Sequence, residues 1–121
     1  MENKAIVKQF IDNLFVNDDL AYETLSDDVT FNWPGFGMED IVGKDNLRKF
    51  FSEDGPDKII EQKINNLIAE GNTVIGDGTI VTERNGKVET SYFADVYTVE
   101  NGKITKAHSY MVMDKSNEGQ E

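Results

Sequence analysis

The sequence predicts an α+β fold, with helices first and a curved, mainly antiparallel sheet after them. Three observations carry that prediction. Apolar residues recur at helical spacing up to Glu53. From Lys58 onward the pattern shortens to strand alternation. Two Asn-Gly-Lys triplets, at 85–87 and 101–103, mark tight hairpin turns. An α/β parallel sheet would alternate its elements, whereas this segregated order sets helices against one face of a sheet.

Each element has its own signature. Residues 2–17 place Ile6, Phe10 and Leu14, with Val7, Ile11 and Phe15, on one stripe of an amphipathic helix. Asp18-Asp19 opens a short second helix, with either aspartate as N-cap. The acidic pair Asp27-Asp28 reads as a solvated turn. Val29, Phe31 and Trp33 then alternate with polar residues in a strand that Pro34 ends. Residues 35–43 are a glycine-punctuated loop, and 44–54 return to helical spacing with Leu47, Phe50 and Phe51. A Gly-Pro-Asp turn at 55–57 leads to a long strand over 58–70, although Ile60, Ile64 and Leu67 also fit a helical period. A strand over 74–84, one through 90–99 that runs into the second turn, and a last strand over 103–113 follow, and the polar tail from about 115 is expected to fray. Gly76 and Gly78 mark a bend or room for a ligand. They are not a phosphate loop, because neither Gly-Lys-Ser/Thr nor a following helix is present.

The chain has 121 residues, so one domain over 1–121 is expected. It has no cysteine, which excludes disulfides, thiolate metal sites and thiol nucleophiles. His108 is the only histidine, and the reading calls for no metal and no cofactor. A net charge of −11 repels a phosphate backbone, and no Lys/Arg stripe overrides it, so no nucleic-acid partner is expected. Neither a signal peptide nor a membrane-spanning run is visible; the expectation is a cytoplasmic protein with no membrane partner.

Three stretches, 26–34, 42–51 and 93–114, together resemble the nuclear transport factor 2-like superfamily of cone-shaped, cystatin-like α+β folds. That superfamily includes SnoaL-like polyketide cyclases, ketosteroid isomerase and limonene epoxide hydrolase. The resemblance runs in order and spacing from about residue 4 to 114. It implies a cone: three N-terminal helices closing the concave face of the sheet around an apolar pocket. Asp95 falls where ketosteroid isomerase carries a buried, protonated aspartic acid that donates a hydrogen bond to an oxyanion. The general-base position of that enzyme is Trp33 here, and its oxyanion tyrosine falls on Phe10 or Ile11. Without a base, double-bond isomerisation loses its proton transfer. The His-x-Asp pair of the SnoaL-like cyclases falls on Ala107 and Ser109, and the Arg-x-Asp of the epoxide hydrolase on Phe93-Ala94-Asp95. Each of these chemistries lacks an essential group, and Asp95 alone survives.

The register of the last hairpin decides what faces Asp95. A two-residue Asn-Gly turn of type I′ pairs Glu100 with Lys103 and sets Asp95 opposite His108. A three-residue turn pairs Val99 with Lys103, sets Asp95 opposite Ala107 and sends His108 to the other face. A one-residue slip reverses every side chain. Local propensity favours the first. The resemblance implies the second, with the small residues Ala107 and Ser109 towards the pocket, and that reading is taken. His108 is then an outer-face residue, placed for a subunit contact.

Asp95 is the candidate catalytic or anchoring residue. A carboxylate between Phe93 and Tyr97 is desolvated, which raises its pKa towards neutrality. Phe10, Leu14, Trp33, Phe50, Phe93, Tyr97, Ser109 and Met111 are the candidate ligand-binding residues. Trp33 fits core filling at least as well as a ligand platform. Tyr92, Val96 and Tyr110 alternate onto the convex face, where an apolar patch suits a homodimer. The expected function is a small-molecule pocket protein taking an apolar or aromatic ligand, with an isomerase or lyase step using Asp95 as acid. The alternatives are a hydrolase or cyclase with an Asp95-activated water, or a dimeric interaction module whose cone is plugged by Trp33 and the phenylalanines.

Overall fold

A computed structural model of the chain describes residues 2–115. The expected fraying of the tail lies almost wholly outside these. Helices α1 (Asn3–Asn13), α2 (Asp18–Tyr22) and α3 (Lys44–Asp54) pack on a six-stranded sheet. Its strands are β1 (Leu25–Asn32), β2 (Ile41–Val42), β3 (Lys58–Glu70), β4 (Thr73–Arg84), β5 (Lys87–Glu100) and β6 (Lys103–Met113). The strand order is β2-β1-β6-β5-β4-β3, antiparallel except for the parallel β1–β6 pair. The sheet is curved and does not close. The α+β expectation and the strand at 58–70 both hold.

The local differences have physical causes. Helix α1 ends at Asn13, four residues earlier than the apolar stripe suggests, because Phe15 adopts a left-handed backbone with φ 67°. The cap of α2 is Asn17, not Asp18 or Asp19: its side chain accepts from the Leu20 N–H. The Asp18 carboxylate instead turns back to accept from the Phe15 N–H at 2.9 Å. Asp27 and Asp28 are exposed as expected, but they sit within β1 rather than in a turn. The β1–β6 ladder is irregular between Leu25 and Thr30, so the pair lies on an unpaired stretch of strand.

Burial follows from the sequence periods. On α1, Ile6, Val7, Phe10 and Ile11 are buried, and on β1 so are Val29 and Phe31, with Trp33 just beyond it. They meet Val74, Tyr97, Val99, Ile104 and Ala107 from the concave sheet face. Each such side chain contributes roughly 1.5–3 kcal/mol by leaving water. Arg48 fixes α3 to α2 by donating to Asp19 at 2.9 Å while its guanidinium lies over the Tyr22 ring.

Two strands carry the bend. Strand β3 slips against β4 between Ile59 and Glu61 and again between Ile64 and Asn66. Gly78 faces the second slip, and a Cβ there would strike the Lys63 backbone. Gly78 therefore marks the bend of the sheet, as expected. At Gly76 a Cβ would meet the ends of Leu67 and Ile11 instead.

Candidate functional site

The site begins with the last hairpin. Asn101 and Gly102 have φ of 52° and 79°, both left-handed, and Glu100 pairs with Lys103. The turn is thus the two-residue type I′ that local propensity favours, which corrects the three-residue turn taken above. The ladder then slips: Val99 pairs with Ile104 and Thr98 with Lys106, leaving Thr105 as an extra residue. This bulge reverses the faces beyond it. Asp95 lies opposite Ser109, Tyr97 opposite Ala107 and Phe93 opposite Met111, while His108 faces outward beside Val96 and Asn32. The expected faces are therefore right, but the expected Asp95–Ala107 pair is not: the partner of Asp95 is Ser109, because the faces are set by a bulge rather than a longer turn. His108 Nδ1 is buried there without a hydrogen-bond partner among the described residues.

The concave side chains of β4, β5 and β6 and the facing sides of α1 and α3 enclose a cavity of about 440 Å³. That volume lies within the ~300–1,000 Å³ usual for small-molecule sites. All the candidate residues line it: Asp95, Phe10, Leu14, Trp33, Phe50, Phe93, Tyr97, Ser109 and Met111. Trp33 is nearly buried and joins the core to the wall, with ring centroids 6.0 Å from Phe31, 5.2 Å from Phe50 and 5.6 Å from Phe51. It is core filler and wall at once. A wider depression between α1 and β3 is walled by solvated residues, including the ion-paired Lys8 and Asp12, and cannot exclude water.

Asp95 is the polar centre of the cavity. Its Oδ2 accepts from the Tyr97 hydroxyl at 3.0 Å, while Oδ1 is buried with no hydrogen-bond partner among the described residues. Burial pushes its carboxyl up to about 6, against Ser109 and Tyr97, whose hydroxyls favour the charged form and pull it down. Burial also raises the Tyr97 hydroxyl well above its ordinary value, reinforced by the Asp95 charge and by the bond itself. Among the described residues no cationic side chain adjoins the pair. Gly76, directly across from Asp95 on β4, leaves that side open to Ile11 and Leu67.

Sequence reasoning missed the mouth. Asp54, Gly55, Pro56, Thr82, Arg84, Glu89, Ser91 and Met113 also line the cavity. The alternation that places Phe93 and Tyr97 inward continues to Ser91 and Glu89, so those two were within reach. Thr82 and Arg84 follow from them through the regular β4–β5 ladder, in which Thr82 pairs with Glu89. Arg84 donates to the Asp54 carbonyl at 2.7 Å, fixing the end of α3 to the sheet. Among the described residues, no group of three or more His, Asp or Glu side chains is placed to hold a metal ion. No described helix is long and apolar enough to cross a membrane.

Residues 7–107 match the SnoaL-like domain family. No curated protein matches the chain. Among solved structures, an LEH-like epoxide hydrolase from M. tuberculosis superposes with a TM-score of 0.77 at 22% identity, covering 98% of this chain and 86% of that one. Bal32a, from a soil-derived mobile gene cassette, gives 0.78 at 17% identity over 90% and 88%. A protein of unknown function with a cystatin-like fold from Xanthomonas campestris gives 0.77 at 19% identity over 98% and 95%. At these identities the likeness is one of fold.

Proposed function

The chain belongs to the SnoaL-like domain family, within the nuclear transport factor 2-like superfamily, and from that premise we propose that it binds a small molecule with an apolar or aromatic body, anchored by Asp95. The observation that carries this reading is a carboxylate with one unpartnered oxygen set among the aromatic and aliphatic side chains of the cavity, away from the polar residues of its mouth. An under-bonded buried acid costs stability. A ligand polar group offsets that cost, while the rings around it take the ligand's body. A cavity of about 440 Å³ favours binding over a plugged, purely structural cone.

Binding without turnover fits better than isomerase, lyase or hydrolase chemistry. Isomerase, lyase and hydrolase steps of the kinds considered above need a base or a water-orienting group beside the acid, and the titratable side chain beside Asp95 is Tyr97, whose hydroxyl burial holds neutral. The other cavity carboxylates, Asp54 and Glu89, sit at the mouth. Glu89 is six positions along β5 from Asp95, on the order of 20 Å. The arginine that would orient a water beside Asp95 is Phe93 here.

In this reading the protein is a single cytoplasmic domain that pairs through the convex sheet face. Tyr92 and Tyr110 are half-exposed there and Val112 more so, an apolar surface that pairing would cover. Sedimentation at micromolar concentration is expected to give a dimer, and a clean monomer would remove this part.

The test of the binding reading uses 2-naphthol as a neutral aromatic probe and native mass spectrometry of untreated protein. The probe is expected to raise the melting temperature of the wild type and not that of Ser109→Trp, whose indole fills the cavity. No carried ligand and no shift with 2-naphthol would end the reading.

A further inference from the structure

We propose that the ligand of this cavity is an organic cation: a protonated amine or nitrogen heterocycle on an aromatic body, with Asp95 as its counter-ion. The inference rests on the binding reading above and names the ligand class. Four observations support it.

The first is the charge of the lining. It holds three carboxylates, Asp54, Glu89 and Asp95, against one guanidinium, Arg84. Arg84 is at the mouth and already donates to the Asp54 carbonyl. The inner cavity thus has an acid and no base. The second is the state of the acid. Its Oδ2 has one donor, Tyr97, and its Oδ1 has none in hydrogen-bonding geometry, with the Ser109 hydroxyl across the ladder as the one other hydroxyl acting on it, so the carboxylate retains acceptor capacity for a charged N–H. Part of Asp95 stays uncovered and faces the cavity.

The third is the company it keeps. Phe93 and Tyr97 flank Asp95 on its own strand, and Phe10, Phe31 and Trp33 complete the wall. Phe10 packs edge-on against both Phe31 and Tyr97, with centroids 5.6 Å and 6.1 Å away. Aromatic faces attract cations most strongly where water is excluded. The fourth is the field of the whole chain. A net charge of −11 concentrates cations at the surface and repels anions from the same mouth.

The ionisation of Asp95 sets the sign of the test. With its carboxyl pushed up to about 6, Asp95 is mostly charged at neutral pH. A cation needs that charged form; a neutral acceptor such as a ketone needs the protonated one. The groups facing Asp95 are Tyr97 on its own strand, Ser109 from β6, Gly76 from β4, and Phe10 and Ile11 from α1. Of these only Tyr97 is titratable, and it stays neutral throughout the range. The charged groups of the mouth are Asp54, Arg84 and Glu89.

The probes are 2-naphthylmethylamine and 2-naphthalenemethanol, which share one body and differ in charge. Calorimetry near neutral pH is expected to show the amine about tenfold or more tighter, the scale of a charge-assisted bond. Its affinity should fall as pH drops through about 6, where Asp95 takes up a proton. Asp95→Asn should erase the preference while the alcohol still binds. Should that variant fail to fold, the pH series on the wild type decides alone. Equal or tighter binding of the alcohol, or amine affinity that rises on acidification, overturns the cation proposal and leaves the binding reading standing. Binding of neither probe to folded wild type overturns both.

Discussion

The same three residues, Asn-Gly-Lys, turn β4 into β5 and β5 into β6, and the two hairpins come out differently. Both turns are two-residue, with left-handed Asn85-Gly86 and Asn101-Gly102. The β4–β5 ladder then runs without a slip from Arg84–Lys87 to Thr73–Thr98. The β5–β6 ladder slips after two pairs, at Thr105. A turn sets the register of the residues next to it; the core sets the register farther out. Ile104 and Ala107 are both buried, three positions apart, opposite Val99 and Tyr97, which are two apart. The extra residue has to go somewhere, and Thr105 takes it, its hydroxyl bonded to Glu100 at 2.9 Å. The Ile104 N–H meanwhile donates to the Thr24 carbonyl at 2.8 Å, at the irregular start of β1. The site is a product of that slip, because it puts Ser109 across from Asp95 and His108 outside.

The strongest way to break the comparison is to insert a residue into each hairpin. One glycine between Lys106 and Ala107 turns Ala107, Ser109 and Met111 outward and His108 and Tyr110 into the core. The expected cost is on the order of 4–5 kcal/mol, close to the whole stability of a small domain. One glycine between Asn85 and Gly86 only lengthens a loop, at a cost of about 1 kcal/mol or less. Circular-dichroism melts of the two variants check this, and equal losses would mean that the turn, not the core, holds the register.

Much of this was legible in the sequence. The helical stripe, the five alternating segments and the cavity residues at two-residue spacing are periodicities, and periodicity is local; β2, two residues inside what reads as a loop, has none and exists only by pairing with β1. The slip was legible in principle, since Ile-Thr-Lys-Ala puts two residues between apolar positions where alternation allows one. It was not read, because a longer turn reproduces the same faces with no irregularity in the strand. Arg84 was legible only as an inward position on β4, and Asp54 was not legible at all. What brings them to one mouth is the packing of the α3 end against the β4 end, a tertiary contact with no local signature.

The ladder on the other side of β4 sharpens the point, since there the slip is accommodated by a glycine. Gly78→Ala is expected to cost about 3 kcal/mol, the upper end for overpacking, because the obstacle is the Lys63 backbone and cannot rotate away. Gly76→Ala crowds the flexible end of Leu67 and makes ordinary contact with Ile11 and the Asn66 carbonyl, and about 1 kcal/mol is expected. Denaturant midpoints of the pair test this; a reversed order would put the bend elsewhere.

Asp95 tests what the slip created. A carboxyl raised in the folded state from its ordinary 3.8 to about 6 binds its proton more tightly folded than unfolded. Stability therefore falls as pH rises from about 4 to about 6 and is level above that. The full shift corresponds to about 3 kcal/mol at 1.36 kcal/mol per unit, and the part of Asp95 open to the cavity reduces that to about 2. Asp95→Asn keeps an acceptor for Tyr97 and removes the charge. It is expected to melt higher than wild type near neutral pH and to lose the fall between 4 and 6. A variant less stable than wild type at neutral pH would mean that the ionised carboxylate holds the fold together.

The smallest effect compares one bond on the two faces of β5. Tyr97 donates to Asp95 at 3.0 Å inside the cavity, and Tyr92 donates to Asp114 at 2.9 Å on the outer face. The geometry is alike and the surroundings are not. In water a lost hydroxyl is replaced by solvent, so Tyr92→Phe is expected to leave the melting temperature where it is. In the cavity nothing replaces it, and Tyr97→Phe leaves Asp95 with the Ser109 hydroxyl as its one favourable neighbour. About 1 kcal/mol should be lost, near the net value of one hydrogen bond. The loss should be larger at pH 8 than at pH 4, because the bond is strongest to the charged acceptor. Carboxyl NMR should show Asp95 titrating above its wild-type value in Tyr97→Phe and unmoved in Tyr92→Phe. If both tyrosines shift the melting temperature equally, or if Asp95 titrates unchanged without Tyr97, then the Tyr97 bond is not what tempers the acid, and Ser109 across the bulged ladder is the only group left to do so.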